Sequence, residues 1–201
     1  MSIITNDVSP SRDTDARDRA DMERLVSGHP AALDDLMERH ATPVFQFLCR
    51  MLGDENDAND LAQETFVRVF RSCKSFRANE KFSTWLYSIA ANLAKNHFRW
   101  RSRHPNVSLE AQTESENKIA DVLPSDARSP LEETVAAERV EAVRAAVHAL
   151  PGDFRDAIVL CEWEDRTVAD AARILGATPK AIESRLYRGR NLLRDRLKSW
   201  L

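Results

Sequence analysis

Apolar residues recur at three- and four-residue steps along most of the chain, the pattern of helices that each bury one face. From Asp21 to about Arg103 the stripe runs through Leu25 and Val26, then Leu33, Leu36 and Met37, then Val44, Phe45, Leu48, Met51 and Leu52, where Gly53 breaks it. The spacing predicts a further helix from Asp57 to Cys73, with Ala62, Phe66, Val69, Phe70 and Cys73 on one face. A short basic connector, SFRANEKF, leads into a helix from about Ser83 to Arg101. Periodicity resumes at Leu131, Val135, Val140, Val143, Val147 and Leu150, and continues from Phe154 to Cys161, Thr167 to Leu175 and Thr178 to Leu201. No strand alternation or internal repeat is present, so the expected class is all-α.

Two stretches lack this pattern. The first twenty residues are polar, and DTDARDRAD repeats charge without a hydrophobic face, which predicts a disordered or frayed start. Between His104 and Pro130 prolines stand at both ends and in the middle, periodicity is lost and acids are frequent. An unstructured loop of about 27 residues is unusual inside a compact domain, so it reads as a flexible acidic linker spanning roughly 30 Å. The expected organisation is a start over 1–20, a helical domain over 21–104, a linker over 105–130 and a second helical domain over 131–201.

With 201 residues, 43% apolar and 30% charged, the chain has the make-up of a soluble globular protein and room for one medium or two small domains. Cys49, Cys73 and Cys161 are odd in number and widely spaced, with no CxxC pair and no clustered histidines, so neither a disulfide framework nor a metal site is expected. The N-terminus lacks a basic start with an apolar run, and no stretch of about 18 apolar residues occurs, so a cytoplasmic protein is expected.

The formal charge of −3 argues against a nucleic-acid partner only until it is resolved along the chain. Residues 1–64 carry 6 basic and 14 acidic side chains, and residues 68–103 carry 9 and 1. Residues 104–165 carry 5 and 14, and residues 166–201 carry 9 and 3. Each domain therefore has one basic block, and such blocks attract phosphate whatever the total charge.

Three constellations carry candidate chemistry. In the C-terminal one, Thr167 caps VADAARIL with Asp170 completing a capping box, Gly176 ends the helix, and Thr178-Pro179 begins the next. That is the helix-turn-helix pattern. Ile182, Leu186, Gly189 and Leu193 form the inner stripe of the second helix, and Lys180, Ser184, Tyr187, Arg188 and Asn191 the outer face. The outer face suits a major groove, with Arg185, Arg190 and Arg194 flanking it near phosphates; a plain αα-hairpin with solvated arginines is the alternative. The second constellation is FSTWLYSIAANLAKNHFRWRSR, where Trp85, Ser88, Asn92, Lys95, Asn96, Arg99 and Arg103 share one face and Phe76, Phe82 and Tyr87 stand nearby. Amides, cations and aromatics together suit single-stranded nucleic acid, although aromatics at helical spacing also serve as core. His97, on the apolar face, reads as a packed histidine. In the third, DANDLAQETFVRVF, Asp57, Asp60 and Glu64 lie on one flank with Gln63 beside them. Either these acids complement the helix N-terminus or they meet a basic protein partner.

Taken together, LVSGHPAALDDLMERH, RMLGDENDANDLAQETFVRVFR, SFRANEKFSTWLYSIAANLAKNHFR and LPGDFRDAIVLCEWEDRTVADAARILG with SRLYRGR resemble the extracytoplasmic-function sigma factors of bacterial RNA polymerase, over nearly the whole chain from Asp21 to Leu201. The resemblance implies sigma region 2 in the first domain and region 4 in the second. It implies that Asp57, Asp60, Gln63 and Glu64 meet the clamp helices of the β′ subunit, with the β subunit also in contact. Phe76, Arg77, Asn79, Lys81, Trp85, Tyr87, Asn92, Asn96 and Arg99 would serve minus-ten recognition and melting, with Phe76, Tyr87 and Asn92 pocketing a flipped base, whose Watson–Crick edge can then be read. Lys180, Glu183, Ser184, Arg185, Tyr187, Arg188 and Arg190 would serve the minus-thirty-five element. Core polymerase, promoter DNA and an anti-sigma factor are the implied partners, with no cofactor, no small-molecule substrate and no catalysis.

Two departures limit the transfer. Glu183 stands where many relatives carry a cation, and Trp85-Leu86 replaces the tryptophan pair of primary sigma factors. A free-standing helix-turn-helix regulator is the alternative function; the DLAQE face and the aromatic helix stand against it. No nucleophile-base pair or phosphate-cradling loop points to an enzyme.

Overall fold

The computed structural model describes residues 10–77, 79–104 and 130–198, and the side chains of all of these except 10–12 and 130–137. Residues 1–9, and all of the expected 105–130 linker except Pro130, lie outside the described residues. Every regular element among those described is helical.

The first domain contains α1 (Pro10–Val26), α2 (Ala32–Leu52), α3 (Glu55–Ser72) and α4 (Phe82–Arg103), with a 3-10 turn at Cys73–Ser75. Leu36, Val44, Phe47, Leu48 and Met51 of α2 are buried and meet Ala58, Ala62, Phe66 and Val69 of α3 and Leu86 and Ala90 of α4. Each fully buried large apolar side chain stabilises the bundle by about 1.5–3 kcal/mol. Asp54 caps α3, its side chain accepting from the Asp57 N–H at 2.9 Å.

The helix α1 corrects the expectation of a frayed start, because residues 10–20 belong to it. Its charges looked solvated for want of a local apolar face, but their partners are remote. Asp18, 1% exposed, accepts from Arg39 Nε at 3.0 Å, and Asp21 pairs with Arg24 and Arg39. Met22 and Leu25 then bury the rest of the helix.

The second domain contains α5 (Pro130–His148), α6 (Gly152–Ile158), a π-helical stretch at Val159–Trp163, α7 (Val168–Leu175) and α8 (Pro179–Arg196). The predicted α-helix from Phe154 to Cys161 thus widens at Val159, with Glu164 N–H bonded to Val159 O at 3.2 Å and Arg166 N–H to Leu160 O at 2.9 Å. Such wide turns re-aim the residues that follow them, here Glu164, Asp165 and Arg166. Beneath α8, Gly189 lets the helix approach α6, since a Cβ there would lie 2.9 Å from Ile158 Cγ1.

The two domains pack together, chiefly through α4 against α7 and α2 against α5. Gly53 ends α2 with φ 75° and is crowded by His148 of α5, whose ring would lie 2.9 Å from a Cβ. Burial holds His148 below the usual histidine pKa.

Candidate nucleic-acid and polymerase interfaces

On α3, Asp60 and Gln63 are exposed, and Glu64 is half exposed while accepting from Arg68 Nε at 2.9 Å. Asp57 faces inward: its Oδ2 lies 3.4 Å from both His97 Nε2 and an Arg101 guanidinium nitrogen of α4. Within the free protein this carboxylate braces α3 against α4, so the structure separates it from the three that share an outer face. His97 is 19% exposed in its side chain and packed, as expected. Phe70 corrects the sequence reading: it is 48% exposed and Val67 40% exposed. Helical spacing places Val67 and Phe70 on the flank that carries Asp60 and Gln63, so the acidic face continues into an apolar one. Both were assignable in sequence by counting 60, 63, 67 and 70 as one row, a row hidden because Phe70 also sits one residue beyond the buried Val69.

In the connector, Phe76 is half-buried, Arg77, Asn79 and Lys81 are exposed, and Phe76, Phe82 and Trp85 form an aromatic cluster with centroids 5.3–6.2 Å apart. Asn92, Asn96 and Arg99 are exposed on α4, as is Lys95. Asn92 shares with Arg68, Arg71, Ser72 and Ile89 an open cleft of about 280 Å³. The arrangement offers stacking surface, an amide to read a base edge and cations for phosphate.

Tyr87 departs from that group. It is 1% exposed and lies under the second domain, so in this conformation it is not on the exposed face that carries Asn92, Asn96 and Arg99. Its hydroxyl donates to Glu164 Oε2 at 2.7 Å, and Arg50 donates to Glu164 Oε1 at 2.8 Å. Arg166 stacks over the Tyr87 ring at 4.3 Å and donates to Ser83 Oγ at 3.1 Å. Burial, then the Glu164 charge, pushes the Tyr87 phenol above its usual range. Arg155 likewise sits 4.3 Å over Phe98 of α4. None of these contacts is local in sequence, so nothing around Tyr87 in the chain marks it as different from Phe76 and Asn92, with which the family resemblance groups it. The π-helical stretch is what brings Glu164 and Arg166 to it.

The helix-turn-helix follows the sequence reading closely. Thr167 Oγ1 accepts from the Asp170 N–H at 3.1 Å, Gly176 adopts φ 62°, and Thr178 Oγ1 accepts from the Ala181 N–H at 3.2 Å. Ile182, Leu186 and Gly189 are buried, while Lys180, Glu183, Ser184, Tyr187 and Arg188 are exposed, Tyr187 at 70%. Arg185 is tied to Asp153 at 3.0 Å and Arg190 to Glu162 at 2.5 Å, so these two cations are held at the flanks. Among the described residues no group of three or more His, Cys, Asp or Glu side chains is placed to hold a metal ion, and no helix is long and apolar enough to cross a membrane.

Comparison with known proteins accounts for both halves. Residues 36–104 match Sigma-70 region 2 and residues 140–193 match Sigma-70, region 4, which makes the chain a sigma-70-type protein. It is 33% identical to the ECF RNA polymerase sigma-E factor of Haemophilus influenzae over 90% of this chain and 95% of that one. It is 32% identical to the RNA polymerase sigma-H factor of Pseudomonas aeruginosa, over 94% and 97%, and 31% identical to SigW of Bacillus subtilis, over 88% and 95%. The fold is shared with CnrH, solved in complex with the cytosolic domain of CnrY, at TM-score 0.67 and 23% identity over 91% of this chain and 98% of that one. It is also shared with RpoE of Bartonella quintana, solved with the anti-sigma factor NepR, at TM-score 0.61 and 23% identity over 84% and 98%. The chain belongs to the extracytoplasmic-function family of RNA polymerase sigma factors.

Proposed function

We propose the following division of labour for a sigma factor that binds core RNA polymerase, directs it to specific promoters and assists DNA opening. The outer face of α3, with Asp60, Gln63 and Glu64, meets the polymerase clamp helices, and Val67 and Phe70 extend that contact with apolar area. The connector residues Phe76, Arg77, Asn79 and Lys81, with Trp85, Asn92, Asn96 and Arg99, capture and read the minus-ten strand. Lys180, Glu183, Ser184, Tyr187 and Arg188 face the minus-thirty-five groove, with Arg185 and Arg190 on its phosphates. A carboxylate such as Glu183 can accept from a cytosine N4 donor or repel phosphate. The protein works in the cytoplasm without chemistry of its own, and an anti-sigma factor is its expected inhibitor.

The single observation that supports this reading best is the segregation of three exposed polar faces on α3, α4 and α8 around two capped, well-packed domains. Tyr87 adds a condition: it joins the minus-ten site only after the second domain leaves α4. Holoenzyme carrying Asn92→Ala or Phe76→Ala should lose open-complex formation or minus-ten selectivity while core affinity stays at its original value. Unchanged opening and selectivity in both variants would refute the assignment of the connector and α4.

A further inference from the structure

The helix α1 lies outside the residues matched to Sigma-70 region 2, yet it grips the promoter-facing connector from two sides. Beneath the connector, the buried Asp18 accepts from His40 Nε2 at 2.8 Å, and the His40 ring meets Phe82 edge-on at 5.2 Å. Phe82 in turn packs 6.2 Å from both Phe76 and Trp85. At the connector's far end, Asp15 Oδ2 lies 3.4 Å from Lys81 Nζ. The helix also touches the 3-10 turn at Cys73–Ser75 from which the connector departs. The start, the aromatic floor and the last cation of the connector therefore all rest on α1 or on a side chain that α1 holds.

Among the described residues, the connector's backbone hydrogen bonds include a Phe76 N–H to Cys73 O at 3.1 Å, a Glu80 N–H to Arg77 O at 2.9 Å and a Trp85 N–H to Lys81 O at 3.2 Å. Its shape is set by what it leans on. Packing alone at positions 18 and 40 requires only apolar side chains; a buried carboxylate bridging Arg39 and His40 instead selects one geometry, and fully satisfied buried networks of this kind rigidify what surrounds them. Base capture needs its groups held to about 0.5 Å.

We propose that α1 is a positioning element for minus-ten recognition, with Asp18 and His40 fixing the aromatic floor beneath Phe76 and Asp15 fixing Lys81. The proposal rests on the reading that the connector captures a minus-ten base. The test uses holoenzyme and a promoter that it transcribes, alongside copies with single substitutions in the minus-ten element. Asp15→Asn should reduce discrimination between these promoters by about threefold, as befits a partly exposed ion pair, and Asp15→Glu should restore it. Asp18→Asn should reduce it by about tenfold. Core affinity and minus-thirty-five duplex binding should stay unchanged, whereas a helix with a merely structural role would lower them together.

Should Asp18→Asn fail to fold, the pair Asp15→Asn and Lys81→Gln carries the test: the double variant should be no worse than the more damaging single one. Additive losses would overturn the proposal. So would full discrimination in Asp15→Asn alongside its loss in Phe76→Ala. Full discrimination in Phe76→Ala as well would remove the connector's reading role, and the proposal with it.

Discussion

Glu164 is the residue whose replacement most sharply separates the closed arrangement from an open one. Its carboxylate is 7% exposed and accepts one hydrogen bond from Arg50 and one from Tyr87, both in the other domain. Glu164→Gln keeps one acceptor oxygen, so one of the two donors loses its partner and the charge-assisted component disappears. A hydrogen bond to a charged group contributes about 1.5–3 kcal/mol, and Arg50, 31% exposed, recovers part of its loss from water. A destabilisation of the closed form by about 2 kcal/mol follows, which multiplies the open fraction roughly 30-fold while that fraction is small. Because affinity for a ligand of the open form is reduced by the scarcity of that form, the free protein should bind a single-stranded minus-ten oligonucleotide roughly 30-fold more tightly after the change. Fluorescence transfer between dyes on α3 and α8 should report greater separation at the same time. Holoenzyme should show no gain, because the proposed function has the second domain leave α4 there. Unchanged affinity and unchanged transfer in a folded Glu164→Gln protein would refute the idea that this carboxylate closes the molecule over Tyr87.

Other outcomes follow from the same geometry. Phe70→Arg with Gln63→Ala should weaken core polymerase binding at least tenfold with little change in thermal stability, measured by competition for labelled core; native affinity would count against the α3 face. Arg188→Ala should cost about 1–3 kcal/mol in minus-thirty-five duplex binding by holoenzyme if it reads a base edge, and a loss spread equally over all sequences would assign it to phosphate instead. Asp156 is pushed up to about 6, chiefly by burial, with Asp153 adding to the shift and Arg155, Lys95 and Arg185 opposing it. A raised carboxylate pKa penalises the native state above that value, and the penalty fades as pH falls from about 6 towards 4. Asp156→Asn should therefore raise stability at pH 7 by up to about 3 kcal/mol, a gain that vanishes near pH 4 in denaturation curves; an equal gain at both pH values would exclude this titration as its cause.

What could be read from the sequence was what the chain writes locally. Thr167 with Asp170, Gly176, and Thr178 with Pro179 fix the helix-turn-helix by interactions no more than a few residues apart, so the capping pattern sufficed. The acidic face of α3 and the polar face of α4 were visible as rows at helical spacing. Features held by remote partners were not. The first part of α1 depends on Arg39 and His40 to accommodate Asp18, and nothing in DTDARDRAD announces them. Phe70 counts as core by periodicity because the stripe has no way to mark where neighbouring helices stop covering it. Tyr87 carries the composition of an open aromatic site, yet Glu164 and Arg166 reach it through a π-helical stretch that has no distinctive residue pattern. The charge blocks were a guide to surfaces, but several of their members, among them Arg185 and Arg190, are held by acids of their own domain.

The most direct test of promoter-directing function is run-off transcription on genomic fragments with purified core RNA polymerase, with and without this protein, alongside duplex binding by the protein alone. Discrete transcripts that appear only when the protein is added, together with weak duplex binding in the absence of polymerase, are the expected result. Tight duplex binding by the free protein with no promoter stimulated in any fragment would contradict it.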